Sequence, residues 1–484
     1  MRETWRGIPR PLPPLLLAVL VLACAWALLV PPWQAPDETA HFAYAQLLAE
    51  RFELPDETGN GLSTELQLAW TSSNAPQVAQ ILPTKPEWSS DAFDRWQAAD
   101  RQLDAAARED GRGFNPASTN PPLYYLYTVP AYLAGSVGDI FDRLYLMRLW
   151  TALLLLVTCV GTWLLAGELF ERKRLLQVCS TAVVGLHPMM TFISSSVSPD
   201  ALLFALWSLA LWLGVRVLKR GLTLVDGVAL FAAVGLAVLV KGTSYALVPP
   251  ALFVLAVGAW RRRGEGSGKV AGLVAAALLA FAVPAGGWVT LAHALDRPAV
   301  NEVGATGDSD AKLDVRTFGS YLWQFYFPRL PSQTSFGVID DMRVYSIWVQ
   351  TGWAAFGWLE VRFPDWVYAL LALVSALVLS GGAALVFLRW GAIDHSVVGF
   401  LALAVVCLLA GLHWVEYKTV LESHLPFNQG RYLFPLLPLW GAAVAALVER
   451  IPGRGQTIAL GGVLGSLFVL QLFSLGLTAE RYFA

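Results

Sequence analysis

Asp37 and Glu38 stand side by side just past the first long apolar stretch, in PPWQAPDETAHFAYAQLLAE, and His41 follows Asp37 at a four-residue step. On a helix that step puts His41 on the face of Asp37. A carboxylate placed there can take a proton from an acceptor hydroxyl as a general base. Asp37 with Glu38, or Asp37 with His41, could equally hold a divalent cation. The plainer reading is a helix start, which Pro36 and Asp37 suit and where the helix dipole favours an acidic residue. A cap needs one carboxylate, however, and two are present.

Further polar motifs interrupt an otherwise apolar chain. STNPPLYY (118–125) carries Asn120, SSSVSPD (194–200) carries Asp200, Lys241 ends an apolar block, and HLPFNQGRY (424–432) carries Gln429 and Arg431. The planar fork of arginine matches a phosphate or pyrophosphate. Lys241 adds a second positive charge, or merely snorkels from a helix end. Asp200 either starts a helix or holds a substrate hydroxyl or a metal. The substrate-binding candidates are therefore His41, Asn120, Asp200, Lys241, Gln429 and Arg431, and the catalytic candidates Asp37 and Glu38. His187, His413 and His424 read as structural. The cysteines, Cys24, Cys159, Cys179 and Cys407, lie in apolar stretches without a CxxC spacing and read as small core residues.

Composition says what must position these residues. The 484 residues are 56% hydrophobic and 14% charged, against about 25% charged in soluble domains. Apolar blocks near 13–32, 146–167, 174–194, 199–217, 224–241, 243–260, 270–292, 366–388, 396–415, 432–448 and 456–476 predict an all-α polytopic membrane protein with about eleven spans. The first block is too long for a usual signal peptide and reads as a retained helix. The net charge of −2 says nothing about nucleic acid, but the sequence has no basic tract of the kind such binding needs. No phosphate-loop motif supports a nucleotide site.

One block, TNPPLYYLYTVPAYLAGSVG (119–138), decides the orientation of everything after it. If it does not cross, the N-terminal arginines, Arg172–Arg174, Lys219 with Arg220, Arg261–Arg263, Arg389, and Arg450 with Arg454 all fall on the cytoplasmic side. Its prolines and tyrosines suit a juxtamembrane or re-entrant helix. Two large loops, 33–145 and an aromatic 293–365, then face outward from one membrane domain covering 1–484, and every polar motif above lies at the outer face. Ionisable groups near lipid are costly and usually mark a pathway or a site.

PPWQAPDETAHFAYAQ, NPPLYYL, HPMMTFISSSVSPDALLF, FGWLEVRFPDW and NQGRYLFPLLPL, in this order over most of the chain, resemble the bacterial membrane family labelled domain of unknown function 2142. That family is similar to the GT-C glycosyltransferases, polytopic enzymes that use a polyprenyl-phosphate-linked sugar at the outer face of the membrane. The resemblance implies a GT-C-like fold with juxtamembrane helices in the first outer loop. It implies a catalytic role for Asp37, with Glu38 assisting, because protein O-mannosyltransferases and the aminoarabinose transferase carry an acidic motif at that place. Pro121, Pro122 and Leu123 resemble their helix near the end of that loop. For His41, Asp200 and Arg431 it implies only their presence in matching motifs. A large soluble C-terminal domain of the oligosaccharyltransferase type is not expected, which argues against a peptide-sequon transferase.

The expected activity is transfer of a sugar, with inversion, from a polyprenyl-phosphate donor to an envelope glycan, lipid or protein at the outer face of a bacterial cytoplasmic membrane. No cofactor is required, a divalent cation held by Asp37 and His41 being the alternative. The rivals are a flippase for lipid-linked glycan, which needs polar groups near the midplane, and a non-catalytic assembly subunit.

Overall fold

A computed structural model of the chain describes residues 10–56, 59–73, 89–297, 299, 314–333, 343–423 and 428–484. Apolar blocks become helices because a backbone in lipid must satisfy its hydrogen bonds within its own segment. Helix α1 (Leu12–Leu29) leads into α2 (Glu38–Arg51), α3 (Thr64–Ser72), α4 (Ser90–Asp100) and α5 (Leu123–Gly135). Next come α6 (Ile140–Leu169), α7 (Arg174–Gly185), α8 (Pro188–Ser194), α9 (Asp200–Arg220), α10 (Leu224–Val238), α11 (Val248–Arg261) and α12 (Ser267–Ala294). The short α13 (Val315–Tyr326) and a π-helical turn, Val344–Gln350, precede α14 (Asp365–Leu388), α15 (His395–Ser423), α16 (Leu437–Val448) and α17 (Gly455–Phe483). Among the described residues the only strand-like contacts are two isolated bridges.

Among the described residues the eleven expected spans fall on nine long apolar helices, α11 and α16 being long enough only with the 3-10 turns Gly242–Leu247 and Gly430–Leu436 that lead into them, one bent pair, and one helix, α10, of 15 residues. The unbroken span expected over 174–194 is corrected to that pair: α7 and α8 meet at 62°. Pro188 cannot continue the hydrogen-bond ladder of α7, and the His187 ring instead accepts from the Met190 amide to start α8. Helix α5, with 13 residues, is about 20 Å long, too short to cross the ~30 Å hydrocarbon layer.

Helix α9 is the innermost span, 78% of its apolar window being buried, whereas α12 buries 6% and leaves the rest to lipid. It packs along α6 and α10. The alternating direction of the helices sorts their ends. One end carries the basic clusters, tied by Lys173–Glu449 (2.7 Å), Arg220–Glu168 (2.7 Å) and Arg261–Asp394 (3.8 Å). The other carries α2–α5, α13 and every candidate site residue.

At that second end α2–α5 pack on α6 around a buried carboxylate. Glu65 accepts from Arg143 (2.5 Å), Arg108 (3.1 Å) and Gln46 (2.9 Å). Arg143 also donates to the Tyr132 hydroxyl at 2.8 Å. Trp96 of α4 is buried and donates its indole N–H to Asp139, the residue that caps α6. These contacts fix α2 and α5, the helices that carry His41 and Tyr125.

Candidate functional site

Between α1 and α2 the chain reverses tightly, and Trp33 and Asp37 both take left-handed backbone, with φ of 64° and 60°. Most side chains avoid that region, and aspartate tolerates it. Asp37 occupies the N-cap position of α2, yet its side chain makes no capping bond. Its Oδ2 instead accepts from the Arg431 guanidinium at 3.1 Å. The backbone of Asp37 begins the helix, while its carboxylate points elsewhere.

Glu38, expected beside Asp37 as a catalytic assistant, sits differently. It is wholly buried. Its Oε1 accepts from Arg148 Nε at 2.8 Å and from the Val197 amide at 3.2 Å, and its Oε2 from Arg148 Nη2 at 2.5 Å. Both oxygens are engaged by the protein, so no face of Glu38 is open to a substrate.

A chain of alternating charge runs from Asp37 into the bundle. Arg431 Nε lies 3.8 Å from Asp200 Oδ2, and Asp200 Oδ1 accepts from Lys241 Nζ at 2.8 Å. Lys241 and Arg431 both lie over the Tyr432 ring, at 4.9 and 5.4 Å from its centroid. Asp200 comes from the first turn of α9, Lys241 from just past α10, and Arg431 from the 3-10 turn Gly430–Leu436 that opens into α16. Gly430 is required there: a Cβ would stand 2.3 Å from the Gly352 backbone nitrogen. The side chain of Asp37 is 43% exposed, against 5% for Arg431, 3% for Asp200 and 14% for Lys241. Of these four side chains, Asp37 is the one a substrate can reach most freely.

His41, on the next turn of α2, is hydrogen-bonded through Nδ1 to the Tyr125 hydroxyl at 3.0 Å. Asn120 donates its amide to the same hydroxyl at 2.9 Å, and Tyr44 stacks on the Tyr125 ring at 3.8 Å. Gln429 is half-buried beside Arg431, and its Oε1 has no hydrogen-bond partner. Burial alone would raise the Asp37 carboxyl, but the charges of Arg431, His41 and Lys241 outweigh it and hold it below its ordinary 3.8. Burial pushes His41 down to about 4 despite the attraction of Asp37. At neutral pH the site thus has an ionised Asp37 and a neutral His41.

A divalent cation at Asp37 and His41 does not fit this donor set. An arginine holds the Asp37 oxygen, a tyrosine meets His41, and among the described residues no three His, Cys, Asp or Glu side chains gather as ligands. His187 stacks on Trp353, His413 bonds Tyr321 and Tyr326, and His424 lies outside the described residues.

Beside Gly430 a cavity of about 500 Å³ runs into the membrane region, its walls including Tyr326, Trp348, Trp353, Leu433 and Trp440. Its lining is almost wholly apolar, which suits a hydrocarbon chain. The aromatic loop 293–365 supplies the first three of those walls.

Sequence reading missed Arg148, Tyr432 and the Arg343–Glu416 pair. The available signal was an ionisable residue inside an otherwise apolar helix, as with Arg148 in RLYLMRLWTALL and Glu416 in LLAGLHWVEY.

The family model described as "Predicted membrane protein (DUF2142)" matches residues 20–440. The chain belongs to the DUF2142 family. Among curated proteins, none matches it. The fold of this DUF2142 chain is similar to the crystal structure of ArnT from Cupriavidus metallidurans in the apo state, with 14% identity over 87% of this chain and a TM-score of 0.42. It is similar also to ArnT from the same organism bound to undecaprenyl phosphate, with 15% identity over 88% of this chain and a TM-score of 0.42. The chain spans 61% of the length of those ArnT chains.

Proposed function

We propose that this DUF2142 chain transfers a sugar from a polyprenyl-phosphate-linked donor to an acceptor hydroxyl of the envelope, at the outer face of the cytoplasmic membrane. The observation that carries this reading is the half-exposed Asp37 carboxylate, turned away from the helix it begins and held ionised by Arg431 beside an apolar cavity. The basic clusters at the opposite end support this orientation, since such clusters favour the cytoplasmic side.

On this reading the donor tail lies in the cavity, and its phosphate meets Arg431 and Lys241 at the Gly430 end. Asp37 takes the proton of the acceptor hydroxyl. The acceptor oxygen bonds to the anomeric carbon from the face opposite the phosphate, and the configuration inverts. The carbon–oxygen bond to phosphate breaks, and its electron pair leaves on the phosphate oxygen. Arg431 and Lys241 stabilise the charge that develops there. Holding both reactants in line supplies a large part of the acceleration.

The test is turnover. Purified chain, given radiolabelled polyprenyl-phosphate sugars and an envelope extract, is expected to release polyprenyl phosphate in step with the sugar transferred. Movement of the donor across liposomes without sugar transfer would favour the flippase instead.

A further inference from the structure

We infer that two buried carboxylate–arginine pairs, Glu38–Arg148 and Glu416–Arg343, are positioning residues that aim Asp37 and Arg431 at one another. The inference rests on the transferase reading above and concerns what makes its site stiff enough to work.

Glu38 follows Asp37 directly, so whatever fixes Glu38 fixes the left-handed turn that aims Asp37. Arg148 fixes it with every donor it has. Besides two bonds to Glu38, its Nη1 donates to the Ala27 carbonyl (3.1 Å) and the Val30 carbonyl (2.6 Å), and its Nη2 to the Pro31 carbonyl (3.0 Å). Those carbonyls belong to the end of α1 and the reversal after it, where a helix leaves its acceptors unpaired. Val197, just before α9, donates its amide to Glu38 as well. One guanidinium–carboxylate pair therefore joins α1, α2, α6 and the approach to Asp200.

The second pair stands behind the other partner. The Asn428 amide donates to Glu416 Oε2 at 2.6 Å, and Arg343 lies 3.5 Å from Glu416 Oε1. Gly430 donates its amide to Thr351 Oγ1 at 2.7 Å. The segment 428–430 is thus pinned from α15 and from the turn beside Gly352, and Arg431 follows it directly. A dry pair thus stands behind each member of the Asp37–Arg431 contact, through Glu38 next to Asp37 and through Asn428 three residues before Arg431. A dry pair adds little net stability over an apolar replacement, whereas a reacting group held within a fraction of an ångström gains much in rate.

The test separates aiming from stability. Glu38→Gln and Arg148→Met each leave a buried group unmatched and are expected to lower both melting temperature and kcat. The double variant E38M/R148M removes both charges, so its melting temperature is expected to rise above that of either single variant. Its kcat is expected to stay about tenfold or more below wild type, with the donor KM near wild type. Recovery of kcat together with stability would overturn the inference, because the pair would then be merely structural. If the double variant does not fold, Arg148→Lys decides: it keeps the charge but loses the fork, and is expected to lower kcat with KM unchanged. Wild-type kcat in that variant would overturn the inference too. No sugar transfer by the wild-type chain would instead sink the transferase reading, whereas full activity in Asp37→Asn would remove Asp37 as the base and leave the pairs nothing to aim.

Discussion

At the scale of single residues, one carboxylate, Asp37, is held below its ordinary pKa by the arginine beside it. Desolvation and the cationic charges oppose each other at Asp37, and the charges prevail. Removing Arg431 leaves desolvation in place, so the Asp37 pKa should rise. On the proposed mechanism the ionised Asp37 is the active form, so the acid limb of the wild type lies below the ordinary carboxylate range. In Arg431→Gln the limb should move to higher pH, with residual activity falling as pH drops through the raised pKa. A pH–rate profile of both proteins checks this, and an unmoved limb would mean that Arg431 does not tune the base. The adjacent carboxylates could not be told apart in the sequence. Asp37 and Glu38 are chemically alike, and only the buried Arg148, more than a hundred residues on, makes one a support and leaves the other half-exposed.

At the scale of elements the site depends on how closely two turns approach. Gly430 and Gly352 let the 3-10 turn of Arg431 cross the end of the π-helical segment with no room for a Cβ. Gly430→Ala places a methyl against backbone rather than against a flexible side chain, so the turns must separate. Overpacking of this kind costs about 1–3 kcal/mol, read as a lower thermal midpoint in detergent. The Asp37–Arg431 contact should be lost with it, and turnover with the contact. Wild-type turnover in Gly430→Ala would show that the close approach does not position Arg431. The apolar blocks marked the helices because lipid leaves the backbone few alternatives. The break at His187–Pro188 was also written in the sequence, yet the run on either side is uniformly apolar and hides a 62° bend.

At the scale of the whole molecule, alternating helix direction does most of the assembly. Asp37, Asp200, Lys241 and Arg431 are far apart in the chain, yet parity alone brings α1, α9, α10 and α16 to one end with those residues at their tips. That much was legible in the sequence, since counting spans and basic loops sorts the ends. Which tips touch was not legible, because lateral neighbours are chosen by packing of Leu, Val, Ala and Gly faces that look alike in one dimension. The same parity makes a topological prediction. A cysteine placed at Val137, 97% exposed beside α5, should react with a membrane-impermeant maleimide in intact cells. One placed at Gly391, between α14 and α15, should react only after permeabilisation. The reverse pattern would place the site on the cytoplasmic side and remove the donor face proposed for it.

If Asp37 is the base of a sugar transfer, wild-type chain and Asp37→Asn must differ in turnover. Both would be purified in detergent and given the same radiolabelled polyprenyl-phosphate sugars and envelope extract. Loss of a general base lowers turnover by ~10²–10⁴-fold. Asp37→Asn is expected to show a fall of that size with the thermal midpoint and donor binding nearly unchanged, because Asp37 makes no capping bond and its carboxylate is half-exposed. Turnover in Asp37→Asn equal to wild type would contradict it.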